Sequence, residues 1–264
     1  MFPRKGRRMC RRNEILSYLA AICLWLPPVA ASALTAKQMV AQADSQMRGS
    51  TATGVYEMTI VHPDWRRDLR LRFWEDVDSE RAFVRVLSPP REAGSASLKL
   101  GNEMWSYLPS VERSMKIPSS MMSQSWMGSD LTNEDIVNGE HYIDLYDHAV
   151  TDTTEVAGTV VYEITSTPRA DAAVVWGQIL YYARREDFLP VRQVFLDEDG
   201  QHIRRMDFSD FKVVGKRTIP TRYIVTPLTE EADGRQTTLL IRQMRFDEPI
   251  PADTFTRRNL ERPR

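Results

Sequence analysis

The sequence predicts a mainly β protein, built as one large, strongly twisted antiparallel sheet with a few helices. From residue 55 onward apolar and polar residues alternate over most of the chain, the mark of strands with one buried face. Turn signals such as Asp199-Gly200, Gly215-Lys216 and Asp233-Gly234 separate the runs, at the spacing of about 10 to 20 residues that a meander uses. No low-complexity segment or linker interrupts residues 34–264, which are expected to form one domain.

In chain order, the first 33 residues read as a secretory signal peptide and not as part of the fold. Arg4, Lys5, Arg7, Arg8, Arg11 and Arg12 make a basic start, residues 16–26 are mostly apolar, and Ala31-Ser32-Ala33 offers the small residues of a cleavage site. That apolar run is too short to span a bilayer as a helix, which takes about 20 residues. The bulky Ile22 before Cys23 argues against a lipoprotein cleavage box, and Asn13-Glu14 after Arg11-Arg12 is a poor twin-arginine signal. Both cysteines, Cys10 and Cys23, lie in this segment, so its removal leaves no disulfide or thiol chemistry. It also leaves 29 basic against 35 acidic residues, which argues against nucleic acid as a partner.

Thr35 is a candidate N-cap for a helix over residues 36–47, where Met39, Val40, Ala43 and Met47 share one face and Gly49 follows as a stop. Strands come next. Tyr56, Met58 and Ile60 alternate with Glu57 and Thr59, and after the Pro63-Asp64 turn Leu69, Leu71 and Phe73 alternate with Asp68, Arg70 and Arg72. Residues 81–87 form a third strand before Pro89-Pro90, Leu98 and Leu100 lie on a fourth, and 104–108 form a fifth. A short capped helix or turn is expected at 130–137, whereas 142–148 and 151–157 are ambiguous. Further strands are expected at 159–165, 178–184, 190–196, 203–208, 223–226 and 237–246. So few helices cannot fill the apolar face of so many strands, and the sequence therefore permits an internal cavity.

Catalytic constellations are missing. His62, His141, His148 and His202 lack zinc-site spacing. There is no G-x-S-x-G elbow, no G-x-G-x-x-G and no Walker motif, so no cofactor is expected. Ser129 or Asp130 is read as capping the turn before Leu131, and Glu134-Asp135 as an exposed pair on a short helix. An envelope hydrolase would have to bring Asp130, Glu134, Asp135 or His141 together in a cleft.

The pattern breaks between residues 104 and 135. Trp105, Tyr107, Leu108, Met115, Met121, Met122, Trp126, Met127 and Leu131 crowd a stretch whose middle has neither helical nor strand period. Two readings stand open. Large apolar residues are usually core, but flexible, polarizable methionine also suits a surface that accepts variable acyl chains. On the second reading 104–108 is a strand, 109–126 a mobile cover at a cavity entrance, and 128–135 a capped turn.

Within this stretch Met104-Trp105-Ser106-Tyr107-Leu108-Pro109, the basic segment 113–116, and Trp126-Met127-Gly128-Ser129-Asp130-Leu131-Thr132-Asn133-Glu134-Asp135 resemble the signature of the LolA-like outer membrane lipoprotein-sorting family. Trp126 and Asn133 stand where Phe and an aromatic residue are commoner. Tyr162-Glu163-Ile164, Phe188-Leu189-Pro190-Val191, Asp197-Glu198-Asp199-Gly200 and Ile219-Pro220-Thr221 follow in the family's order. The resemblance implies a half-open antiparallel β-barrel whose concave face is covered by helices around a hydrophobic cavity. It also implies a periplasmic protein whose partners are lipid acyl chains or a lipoprotein, beside a membrane transporter of the resistance-nodulation-division (RND) type. The alternative is a non-catalytic structural or interaction module of the cell envelope, with a solid core.

Overall fold

Thr35 and Gln38 cap each other's main chain and begin helix α1, Ala36–Arg48, which ends at Gly49 as its N–H bonds back to Ser45 O at 3.1 Å. The structure, a computed structural model, describes Met1, residues 34–137 and residues 142–262. The segment read as a signal peptide, 1–33, lies outside the described residues except for Met1, and so does His141. By its contacts the chain divides into Met1–Ala33 and Leu34–Arg264.

Six strands follow α1 as a meander: β1 (Thr51–Val61), β2 (Arg66–Asp76), β3 (Arg81–Ser88), β4 (Ala96–Leu100), β5 (Glu103–Leu108) and β6 (Arg113–Ile117). After the short helices α2 (Asn133–Val137) and α3 (Tyr142–Leu145), a second meander runs through β7 (Tyr146–Val156), β8 (Thr159–Pro168), β9 (Gln178–Arg184), β10 (Pro190–Leu196) and β11 (His202–Ser209). A small hairpin of β12 (Lys212–Val214) and β13 (Arg217–Ile219) leads to β14 (Arg222–Pro227) and β15 (Gln236–Phe246), and α4 (Arg257–Leu260) comes last. Among the described residues thirteen strands form one antiparallel sheet in the order β6-β5-β4-β3-β2-β1-β15-β14-β11-β10-β9-β8-β7. The two meanders meet where β15 pairs with β1. The sheet curls but does not close, with β6 and β7 as its edges.

This order imposes a constraint. Since β6 and β7 are consecutive strands at opposite edges, the connecting residues 118–145 must pass from one edge to the other. The described part of that connection packs on the concave face: Trp126 and Leu131 join a core of Met58, Ile60, Leu69, Leu71, Val84, Val86, Met104 and Ile117. Helix α1 covers the other half, setting Ala36, Met39, Val40 and Ala43 against Ile164, Tyr181, Ala183 and Leu189.

The expected mobile cover over 109–126 is corrected by this arrangement. Part of it is strand β6, which pairs with β5 in register Met104↔Ile117 to Leu108↔Arg113 around a tight turn. Residues 119–121 and 126–128 are single 3₁₀ turns. The ambiguous stretch after residue 142 resolves into α3 and the long edge strand β7.

Gly177 marks a tight spot where the chain enters β9. Its N–H donates to Leu196 O at 3.0 Å, and a Cβ there would sit 2.3 Å from Asp197 O, a main-chain atom that cannot swing aside. Gly177→Ala is expected to cost about 2 kcal/mol or more in chemical denaturation, since overpacking here forces the backbone apart; an unchanged midpoint would contradict the close approach.

Candidate functional site

Between α1, the crossing segment and the curled sheet lies a cavity of about 390 Å³, within the range of small-molecule pockets, about 300 to 1,000 Å³. Strand alternation builds its walls. Leu71, Phe73 and Glu75 of β2 are every second residue of one strand, and Ala82 and Val84 of β3, Ile179 and Tyr181 of β9, Gln193 and Phe195 of β10, and Met206 and Phe208 of β11 repeat the pattern. Val40, Asp44, Met47 and Arg48 line it from α1 at helical spacing. The crossing segment contributes Trp126, Leu131, Glu134, Asp135 and Ile136.

The Trp126 to Asp135 motif is held by identifiable bonds. Trp126 Nε1 donates to Ser97 Oγ at 3.1 Å, and its N–H donates to Leu131 O at 2.7 Å. Met127 and Gly128 both take positive φ, +52° and +71°, and Arg67 donates to Met127 O. Ser129 Oγ donates to Trp126 O at 2.7 Å and accepts from Leu131 N–H at 3.2 Å, the turn cap its position suggested. Asp130 bonds Thr237 Oγ1 at 2.7 Å and pairs with Arg235 at 2.9 Å, fastening the turn to β15.

Asp135 makes the strongest anchor. Its carboxylate accepts two bonds from Arg204 of β11, one at 2.6 Å, and another from Thr132 N–H at 2.7 Å. Arg204 is buried, with its guanidinium 4.6 Å from the Trp176 ring centre and 4.2 Å from that of Phe195. Burial pushes the Asp135 carboxyl up, but the charge and bonds of Arg204 outweigh it and hold the group below the usual carboxylate range. The pair read as exposed, Glu134 and Asp135, is thus corrected: Glu134 is buried and Asp135 is ion-paired at the cavity wall.

Of the residues expected to form walls or lid, Trp126 and Leu131 line the cavity. Met121, Met122 and Met127 pack beside them against the same core without lining it. Trp105 and Tyr107 lie on the opposite face, because alternation along β5 turns Met104 and Ser106 inward. They pack with Phe83, Leu98, Phe255 and Leu260, and Arg257 stacks 4.1 Å from the Trp105 ring centre. Leu108 and Met115 are exposed. As cavity residues these last four are corrected by the geometry.

Sequence reasoning missed the polar end of the cavity. Asp44, Arg48, Glu75, Tyr56 and Tyr223 all line it, and Arg48 pairs with Glu75. A signal existed: Asp44 interrupts the apolar face of α1, and Glu75 ends the inward series Leu69, Leu71, Phe73. Burial pushes the Asp44 carboxyl up to about 6, with Arg48 opposing and Glu75 adding to the shift.

No hydrolytic arrangement emerges among the described residues. Asp130 and Asp135 are consumed in ion pairs. His148 Nδ1 lies 2.8 Å from Ser166 Oγ, but Ser166 is fully buried, and the other ring nitrogen meets Ile143 O at 3.1 Å. Burial lowers the His148 pKa. No cluster of three metal-ligating side chains occurs among the described residues, and no helix among them is long and apolar enough to cross a membrane.

A family model described as an uncharacterized protein matches residues 78–262. No curated protein matches in sequence. Solved structures share the fold, three of them as follows. A domain from Vibrio parahaemolyticus described as an outer membrane lipoprotein-sorting protein aligns at 19% identity and TM-score 0.75, over 86% of this chain and 98% of that one. A DUF1329 family protein from Desulfovibrio piger gives 20% and 0.77, over 85% and 97%. A LolA superfamily protein from Nitrosomonas europaea gives 20% and 0.72, over 86% and 100%. The resemblance read in the sequence holds at the level of the fold.

Removing one partner of a buried pair strands the other charge. Asp135→Ala is accordingly expected to cost about 3 to 5 kcal/mol in urea unfolding, most of it recovered when Arg204→Met is added; additive losses would show that the two do not act together. Asp44 carries a pH signature. Its folded pKa, about 6, lies above the ordinary 3.8, so its contribution favours the fold fully below pH 3.8 and is lost as pH rises through 6. Asp44→Asn should stabilise by about 2 kcal/mol at pH 7.5 and little at pH 3.5, and an equal gain at both would remove the basis for the shift.

Proposed function

We propose, for a chain that belongs to the uncharacterized-protein family matched over residues 78–262 and has a LolA-like fold, that it is a periplasmic carrier of lipid acyl chains or of a lipoprotein. The cavity carries this reading: about 390 Å³ walled mainly by aromatic, aliphatic and methionine side chains from both halves of the sheet. Each methylene buried contributes about 0.8 kcal/mol, so a chain of about a dozen carbons gains on the order of 10 kcal/mol before ordering costs. The description of the Vibrio domain as an outer membrane lipoprotein-sorting protein supports the same cargo class. Export by way of residues 1–33, one domain over 34–264, and service to an RND-type transporter belong to the proposal. The first rests on the basic and apolar order of that segment and the last on the family resemblance alone. A solid-cored envelope module fits less well, because the space between α1 and the crossing segment is not filled by side chains.

Mass spectrometry of organic extracts from purified protein tests the reading. Acyl lipid should co-purify in stoichiometric amount and fall severalfold in Met206→Trp, which fills the cavity from β11, with folding checked by circular dichroism. Repeated absence of lipid from folded protein, together with failure to take up added fatty acyl probes, would sink it.

A further inference from the structure

The outer face of the sheet carries a pattern of its own. The alternation that turns Leu69, Leu71 and Phe73 of β2 and Tyr223 of β14 inward turns Arg66, Arg70, Arg72 and Arg222 outward, and Arg242 and Arg245 of β15 join them there. All six are exposed. Three carboxylates stand on the same face of β1, β2, β14 and β15, and each is already held: Glu57 by Arg242, Asp68 by Arg66, and Asp76 by Arg81 of β3. Arg245 pairs with Glu248, just past the end of β15.

Three arginines are left over. Among the described residues Arg70, Arg72 and Arg222 make no ion pair, and Arg72 rests its guanidinium 5.1 Å from the ring centre of Trp74, a contact that leaves its charge in place. Arg70 pairs across the ladder with Glu57, Glu57 with Leu240, and Leu240 with Arg222, so Arg70 and Arg222 share one row, three strand spacings or about 14 Å apart, with Arg72 about 7 Å further along β2. Residues 34–264 hold 35 acids against 29 bases, so this face runs against the balance of the chain.

We propose that this face docks on the phosphate headgroups of an anionic phospholipid bilayer. The planar guanidinium fork matches phosphate oxygens, and all three free cations are arginines. A peptide partner has little to hold here. Strands β1, β2, β14 and β15 are bonded on both sides and cannot accept an added strand, and none of the exposed large apolar side chains among the described residues lies on them. A broad charged face without an apolar anchor suits a surface of many phosphates. Docking of this kind stands apart from the carrier reading, since the cavity lies on the opposite face of the sheet.

Flotation of the purified protein with phosphatidylcholine vesicles, with and without phosphatidylglycerol, tests this at low salt. Binding is expected only where phosphatidylglycerol is present, and it should fade in about 1 M salt, where the screening length falls to about 3 Å. Each arginine at an anionic surface strengthens binding about fivefold, so Arg70→Gln, Arg72→Gln and Arg222→Gln combined should weaken it on the order of 100-fold. Arg113→Gln, Lys212→Gln and Arg258→Gln combined remove as many exposed positive charges elsewhere and should bind close to the unmodified protein. Equal flotation with both kinds of vesicle, or equal losses in the two triple variants, would overturn the docking face. Capture of soluble polyglutamate without capture of the vesicles would overturn it in favour of an acidic protein partner. Uptake of a fatty acyl probe, measured on the same variants, reports separately on the carrier reading.

Discussion

Arg204 stands on the concave face with its guanidinium against Trp176 and Phe195, and Asp135 makes that position tenable. A lone buried guanidinium would be costly, and the aromatic rings alone would not satisfy its donors. Between β6 and β7 the chain has to cross from one sheet edge to the other, and this pair states where the crossing is fastened. Once Asp135 is fixed on β11 and Asp130 on β15, the short turn before them has little freedom. Trp126 is carried onto Ser97 and Leu131 into the core between.

The cavity follows from the division of labour above the sheet. Helix α1 covers the β8–β9 region, and the crossing segment covers the first meander. Each is well packed against its own half, yet the space between them is bounded by side chains such as Ala52 and Ala82, which are too short to fill it. Its hydrocarbon walls follow from period-two alternation. The polar end arises where two sequences that should have stayed apolar, the face of α1 and the inward row of β2, admit Asp44 and Glu75.

Much of the architecture was legible in local pattern. Thr35, Gly49 and the strand runs from Tyr56 to Phe73 obeyed capping and alternation rules that need no tertiary knowledge, and the Trp126 to Asp135 motif pointed to the right fold. What could not be read was any property decided by partners far along the chain. Strand β6 is short and half exposed, so its pairing with β5 leaves almost no hydrophobic signature. Trp105 and Tyr107 belong to a stretch rich in aromatic and methionine residues, but strand parity turns them to the face covered by residues 250–260. Asp135 looked solvent-exposed because Arg204 lies 69 residues away.

The unpaired edges have a mechanical meaning. In a closed barrel, strand number and stagger fix the circumference, and the interior cannot change without breaking a ladder. Here β6 and β7 end the sheet without bonding to each other, so no seam resists a small change in curl. Width is limited instead by how firmly one crossing strap holds the two meanders, at Asp130 and Asp135. The space beneath such a ribbon is set by its curvature rather than by a fixed diameter, because curl is the one dimension that no closing hydrogen-bond ladder fixes.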